Sequence, residues 1–260
     1  VSSTTVVTGW AERTAELHRA MMPQKDNLCG AFWGALVLTA AGLDGVDQDL
    51  VALESGTLLP EGGEPPPLAG VESRLDYRLD LPLAPRPQSG TSGPGLAIAI
   101  EHLSGGRLAA VPVAGPWTAE TVADLLSLDP QMPLIANINT GALWGATADR
   151  GQVQRHLDTG ADGGPPADWS VGHFTNPVDV QRGTGGAVVT VRDTYPALGG
   201  GVHLQPASRF AAALRRDDGR EGGVLCVCDA GRAAGLERDL AARGLQVRHW
   251  DNGTPEPSSG

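Results

Sequence analysis

Cys29 stands where the character of the chain changes abruptly. Before it runs the polar stretch Pro23-Gln-Lys-Asp-Asn-Leu28, and after it the uncharged Gly30-Ala-Phe-Trp-Gly-Ala-Leu-Val-Leu-Thr-Ala40. That second run predicts a helix apolar nearly all round, which belongs in a core. A thiol at its N-terminus meets unpaired backbone N–H groups and the helix macrodipole, both of which favour thiolate over thiol. Cys29 therefore reads as a candidate nucleophile. Gln24, five residues earlier, can return its side-chain amide as a donor to a developing oxyanion. The plainer alternative is that Cys29 only caps and packs a core helix, because free cysteine is among the most buried residue types.

A thiol nucleophile needs a base, and an imidazole base needs a third group to orient it. Residues 169–180 and 187–193 read as two strands joined by the glycine-rich turn at 181–186, the sequence mark of a hairpin. His173 lies on the first and Asp193 ends the second. On adjacent antiparallel strands such residues can lie side by side, so that Asp193 accepts from one ring nitrogen while the other faces Cys29.

Gln24-Lys-Asp-Asn-Leu-Cys29-Gly30 with its small-residue helix, Gly172-His173-Phe174, and Val189-Thr-Val-Arg-Asp193-Thr-Tyr-Pro196 together resemble the papain-like peptidase family that includes the leader-cleaving domains of bacteriocin exporters. The order Cys, His, Asp is that of papain-like thiol enzymes. The resemblance implies an α+β fold in which a helix bearing the cysteine packs on an antiparallel sheet bearing His and Asp, with thiol acyl transfer at their junction. Two departures stand out. The family's glutamine usually stands six residues before its cysteine, and Thr175-Asn-Pro177 interrupts a strand that is usually apolar; a proline there predicts an edge or a bulge. The expected chemistry is attack of Cys29 on the acyl carbonyl of a peptide or amide substrate. His173 would move the proton, Asp193 orient the ring, and Gln24 with the Cys29 N–H hold the oxyanion. Water as acceptor gives a peptidase or amidase, and an amine or thiol gives an acyltransferase. The rival is a catalytically inactive binding protein on the same fold, such as a peptide chaperone in a biosynthetic pathway.

Other candidates carry less. Cys226 and Cys228 alternate on one strand face but lack the further ligands of a tetrahedral metal site, so a buried strand explains them. His156 reads as a surface imidazole without a spaced partner. His203 is a second imidazole, which follows Asp193 instead of preceding it. The glycine runs at 93–95 and 199–201 lack the Lys-Ser/Thr of a phosphate loop. No metal and no cofactor is expected.

The elements that must position these groups read as follows. An amphipathic helix at 10–22, with Trp10, Thr14, Leu17 and Met21 on one face, leads into the cysteine loop, and a further helix is expected at 46–53. Residues 56–95 are dense in proline and glycine and read as a surface excursion or linker holding one weak strand or hairpin at 71–83. Strands are expected at 96–101 (LAIAIE), 108–113 and 133–137, with a helix within Trp117 to Leu128 showing the N-cap pattern of Thr118 followed by Thr121. One helical turn near 152–157, a loop at 195–205 and a helix at 206–215 follow. The segment 221–251 reads as a strand-helix-strand extension packed on the 1–220 thiol-enzyme domain, and 252–260 as a disordered tail.

Composition bounds the rest. The 260 residues are 41% hydrophobic and 19% charged, those of a globular chain. With 19 basic against 30 acidic residues and a net charge of −11, no dense basic block exists to neutralise phosphates, so nucleic acid is not an expected partner. Three cysteines make no disulfide scaffold, and the first residues lack a secretory pattern, so a reducing cytoplasm is expected. No apolar run approaches the ~18 residues of a membrane span, and no membrane partner is expected.

Overall fold

A helix with no polar face has to be enclosed on every side, and the fold is arranged to do that. The computed structural model describes residues 10–62, 74–145, 148–167 and 169–256. Helix α1 (Trp10–Met21) leads through the cysteine loop into α2 (Cys29–Ala40), followed by α3 (Gln48–Glu54), a short β1 (Leu59–Pro60) and β2 (Leu83–Ala84), and α4 (Gly93–Leu103). Then come β3 (Leu108–Ala114), α5 (Ala119–Leu128), β4 (Leu134–Asn139), α6 (Arg150–Thr159), β5 (Gly172–Arg182), β6 (Ala187–Arg192) and β7 (Val202–Pro206). Helix α7 (Ala207–Arg215), β8 (Gly223–Asp229), α8 (Ala233–Ala242) and β9 (Gln246–Val247) complete the chain.

The architecture is α+β. Seven strands form one antiparallel sheet in the order β7-β6-β5-β4-β8-β3-β9. Its interior strands are buried on both faces, so their side chains divide by parity between two helical layers. Leu225 and Val227 of β8 join Leu108, Ala110 and Ile135 in a core with α1, α2 and α4. Val224, Cys226 and Cys228 face the opposite core with α5, α7 and α8. Helix α6 covers β6 through Val153, Leu157 and Val188. Within the first of these layers α2 buries Phe32, Trp33, Leu36 and Leu38 completely or nearly so, and the Trp33 indole donates to the Phe174 carbonyl of β5 at 2.9 Å.

Several expectations are corrected. LAIAIE is not a strand: it lies inside α4, where the Ser92 side chain accepts from the Gly95 N–H and Pro94 occupies the first turn. Both are helix-start signals, and they override the alternation, leaving Ile98 exposed. The single turn near 152–157 is a ten-residue helix because Asp149 and Gln152 close a capping box. Within 195–205, expected as a loop, residues from Val202 onward form β7, paired along β6. On α1 the expected Trp10 and Thr14 are buried and Leu17 and Met21 pack against the core, and His18 joins them in the interior. His156 is buried, not superficial: its Nδ1 pairs with the Ala161 carbonyl and its ring meets Trp144 edge-on. Pro177 marks a bulge, with the β5–β6 register shifting between Pro177 and Asp179.

The segment read as an extension contributes β8, which lies between β4 and β3 in the middle of the sheet. Nor is the expected tail loose throughout: Asn252 and Thr254 are buried, and the Asn252 amide donates to the Thr91 carbonyl. Residues 257–260 of that tail, and 71–73 of the strand expected at 71–83, fall outside the described residues. What is described of the excursion holds a parallel pair, β1 with β2, and not a hairpin.

Trp250 closes this core over two glycines. A Cβ on Gly223 would lie 2.2 Å from the Trp250 ring and 2.7 Å from the Val113 carbonyl oxygen. Gly223→Ala is therefore expected to destabilise the protein by about 1–3 kcal/mol, read from urea unfolding. Gly231→Ala, whose Cβ would meet nothing within 4 Å, is expected to stay within about 0.5 kcal/mol of the parent.

Candidate active site

The loop before Cys29 is held from three directions. The Gln24 N–H donates to the Thr194 carbonyl, the Asp26 N–H to the Arg74 carbonyl, and the Arg74 N–H back to the Gln24 carbonyl. The buried Lys25 ammonium donates to Asp49 Oδ2 at 2.6 Å and to the Asp76 carbonyl at 2.7 Å. Removing one partner of such a pair leaves an uncompensated buried charge, at a cost of about 3–5 kcal/mol. Asn27 takes a left-handed φ of 57°, a conformation asparagine tolerates, and α2 begins two residues later. Leu28 places no side-chain cap on that helix. The first N–H groups of α2 thus lie beside the half-buried Cys29 thiol.

The structure brings the four predicted site residues together. His173 follows the first residue of β5, and Asp193 comes directly after β6, so their hairpin sets them side by side. His173 Nε2 lies 3.1 Å from Asp193 Oδ1, and Cys29 lies near enough to the imidazole to contribute to its raised pKa. With Nε2 turned to the carboxylate, Nδ1 is the nitrogen left for the thiol. The ring is clamped between the stacked Tyr195, at 5.7 Å, and the edge-on Trp169, at 5.1 Å. Gln24 is buried against the same strand end. Its Oε1 accepts from the Thr194 hydroxyl and its Nε2 donates to the Tyr195 hydroxyl at 3.0 Å.

Electrostatics follow from burial. His173 is only 2% exposed and Asp193 1%. Burial alone would lower the His173 pKa; the Asp193 charge and hydrogen bond, with Cys29 beside the ring, outweigh it and raise the value to about 10. Burial likewise opposes the Asp193 carboxylate, yet the charge and hydrogen bond of His173, followed by those of His203, hold it well below the usual carboxylate range. A positive ring between a carboxylate and a sulfur suits a thiolate–imidazolium pair, in which the ring already holds the proton it would give to a leaving group. By contrast, burial pushes Cys228 up to about 11 and Cys226 higher still. They are sealed in the sheet, and no metal-binding cluster exists among the described residues.

Sequence reasoning passed over His18, Thr194 and Tyr195. His18 Nε2 donates to the Asp193 carbonyl at 2.6 Å and its ring stacks on Trp33 at 5.3 Å; its place four and eight residues after Thr14 and Trp10 was the available signal. His203 was noticed, but its partner was not. Its Nε2 lies 3.5 Å from Asp193 Oδ2, beside a cavity of about 30 Å³ lined in part by Trp144, Trp169, Asp193 and Gln205.

A family model described as a family of unknown function, DUF6885, matches residues 9–251. No curated protein and no solved structure matches the chain. Among the described residues no helix is long and apolar enough to cross a membrane.

The raised His173 value fixes the sign of a pH effect. A group bound more tightly to its proton in the folded state contributes stability that is complete below its unfolded pKa, about 6.5, and is lost as pH rises through the folded one. Between pH 7 and 8 this ring is expected to make stability fall as pH rises. His173→Gln, which keeps a donor for Asp193, is expected to flatten that slope in urea unfolding at the two pH values.

Proposed function

We propose that this chain, which belongs to the DUF6885 family, is a papain-like thiol enzyme that transfers the acyl group of a peptide or other amide through Cys29, His173 and Asp193. The observation that carries the reading is a single buried imidazole hydrogen-bonded to the Asp193 carboxylate, with the helix-terminal Cys29 thiol beside the same ring. In the reaction the Cys29 sulfur, its proton already passed to the His173 ring, forms a bond to the acyl carbon, and the carbonyl electron pair moves onto oxygen. The free N–H at the start of α2 and the Gln24 amide stabilise that oxyanion. Collapse breaks the carbon–nitrogen bond as His173 gives its proton to the departing amine, leaving a thioester on Cys29. Water then attacks the thioester carbon, losing a proton to His173; the carbon–sulfur bond breaks, its electron pair returning to the Cys29 sulfur, and the carboxylic acid leaves, while an amine or thiol in place of water completes an acyl transfer. Asp193 stays ionised and fixes the ring. The three free thiols suit a reducing, cytoplasmic setting.

A second reading, an inactive binding protein on this scaffold, draws support from Gln24. Its amide is engaged by Thr194 and Tyr195 in the free protein, so the oxyanion donor would have to come chiefly from the backbone. Acyl trapping separates the two. With a panel of activated peptide esters, mass spectrometry is expected to find a thioester on Cys29, and Cys29→Ser to fold normally while losing turnover by on the order of 10³ or more. If no ester acylates Cys29, the binding reading replaces the enzyme. Iodoacetamide is likewise expected to alkylate Cys29 well before Cys226 and Cys228, which are buried in β8.

A further inference from the structure

The geometry points to His203 as a positioning residue that holds the Asp193 carboxylate from behind, in one tautomer dictated by Gln205. This inference rests on the Cys29–His173–Asp193 reading and adds a fourth group to it.

The tautomer follows from hydrogen bonds that have only one polarity. The Trp144 backbone N–H can only donate, and Gln205 Oε1 receives it at 2.7 Å. The Trp144 carbonyl can only accept, and Gln205 Nε2 gives to it at 2.9 Å. The two contacts together settle which end of the amide is which. The same Nε2 lies 3.1 Å from His203 Nδ1. An amide nitrogen is a donor, so Nδ1 is the acceptor and carries no proton. The ring proton must then sit on Nε2, which faces Asp193 Oδ2 at 3.5 Å.

His203 is therefore a donor to the carboxylate and is turned away from any role as the base for Cys29. Its value lies in how the two oxygens of Asp193 are divided. Oδ1 accepts from His173 Nε2 at 3.1 Å and from the backbone N–H groups of Thr194 and Tyr195 at 2.7 and 3.2 Å. For Oδ2 the structure supplies His203. A buried carboxylate oxygen without a donor is costly, so deleting this ring would favour rotation of the carboxylate toward other donors and away from the His173 geometry. Gln205 is 1% exposed and His203 8%, and both lie on β7, whose pairing to β6 places them behind Asp193. The contact is long for a charged hydrogen bond, as such contacts can be before substrate binds.

The test compares the intact chain with His203→Phe, His203→Gln and His173→Gln, reading the rate of Cys29 alkylation by iodoacetamide from pH 5 to 9 and the urea midpoint. His203→Phe is expected to slow alkylation near neutral pH by about 10-fold and to displace its pH profile, while His203→Gln, which retains an N–H donor, restores most of the rate. A folded His203→Phe that alkylates at the parent rate with an unmoved profile overturns the positioning role, provided His173→Gln does slow the reaction. If His173→Gln also changes nothing, the triad reading itself fails. Should His203→Phe not fold, the nitrogen-15 spectrum of the parent's imidazoles decides: a proton on His203 Nε2 supports the assignment, and a proton on Nδ1 refutes it.

Discussion

A carboxylate sealed from water is the constraint on which the rest of this molecule turns. Asp193 is charged, almost wholly enclosed, and tolerable only because donors converge on it from separate parts of the chain. The His173 ring comes from β5, two backbone N–H groups come from the turn after β6, and the His203 ring comes from β7. The residue's own carbonyl, meanwhile, accepts from His18 on α1. One position thus ties a helix from the beginning of the chain to three adjacent strands. Loss of the charge would leave two rings and two amides without their acceptor, so ordering of this sheet edge and ionisation of Asp193 are coupled.

The cysteine side is built by different means. Nothing in α2 itself fixes the approach of the thiol, because its N-cap side chain is the apolar Leu28. Direction comes from the preceding loop, pinned by the Thr194 carbonyl and by the buried Lys25–Asp49 pair. Residues 74–77 add an inner edge through the Arg74 backbone and the Tyr77 hydroxyl, which donates to the Asp26 carbonyl. The proline- and glycine-rich excursion is therefore part of the wall behind the cysteine loop where it is described. Ordering such a loop costs backbone entropy; satisfying its polar groups inside the protein offsets that cost and leaves the thiol in one place.

How much of this could be read from residues alone depended on range. Cys29 at a helix start and the His173/Asp193 hairpin were legible because each is a local pattern, a composition switch in one case and strand alternation across a glycine turn in the other. LAIAIE misled because alternating Leu/Ile and Ala satisfies a strand template, while the deciding signals, Ser92 and Pro94, lay just outside the run. β7 was hidden by Gly199-Gly-Gly201, which reads as loop although Val202 onward pairs with β6. The place of β8 between β4 and β3 is a long-range fact that no window of sequence contains. His18 and His203 illustrate the same limit: each is a lone histidine, and what gives it meaning is a partner 175 or 10 residues away.

Exposure falls steeply across the site, and that gradient has a chemical consequence. Asp193 and His173 are enclosed, Gln24 and Thr194 are buried beside them, and Cys29 alone of the proposed triad keeps partial access to solvent. Low local dielectric strengthens the carboxylate–imidazole attraction, which favours a ring that holds its proton at neutral pH. The sulfur, at the edge of that region and at a helix N-terminus, is the atom that the proposed acyl transfer would leave within reach of a substrate. A site arranged this way concentrates its charge behind the nucleophile instead of around it, so recognition of the acyl partner would depend on the surface before Cys29 while reactivity is set by the packed residues behind.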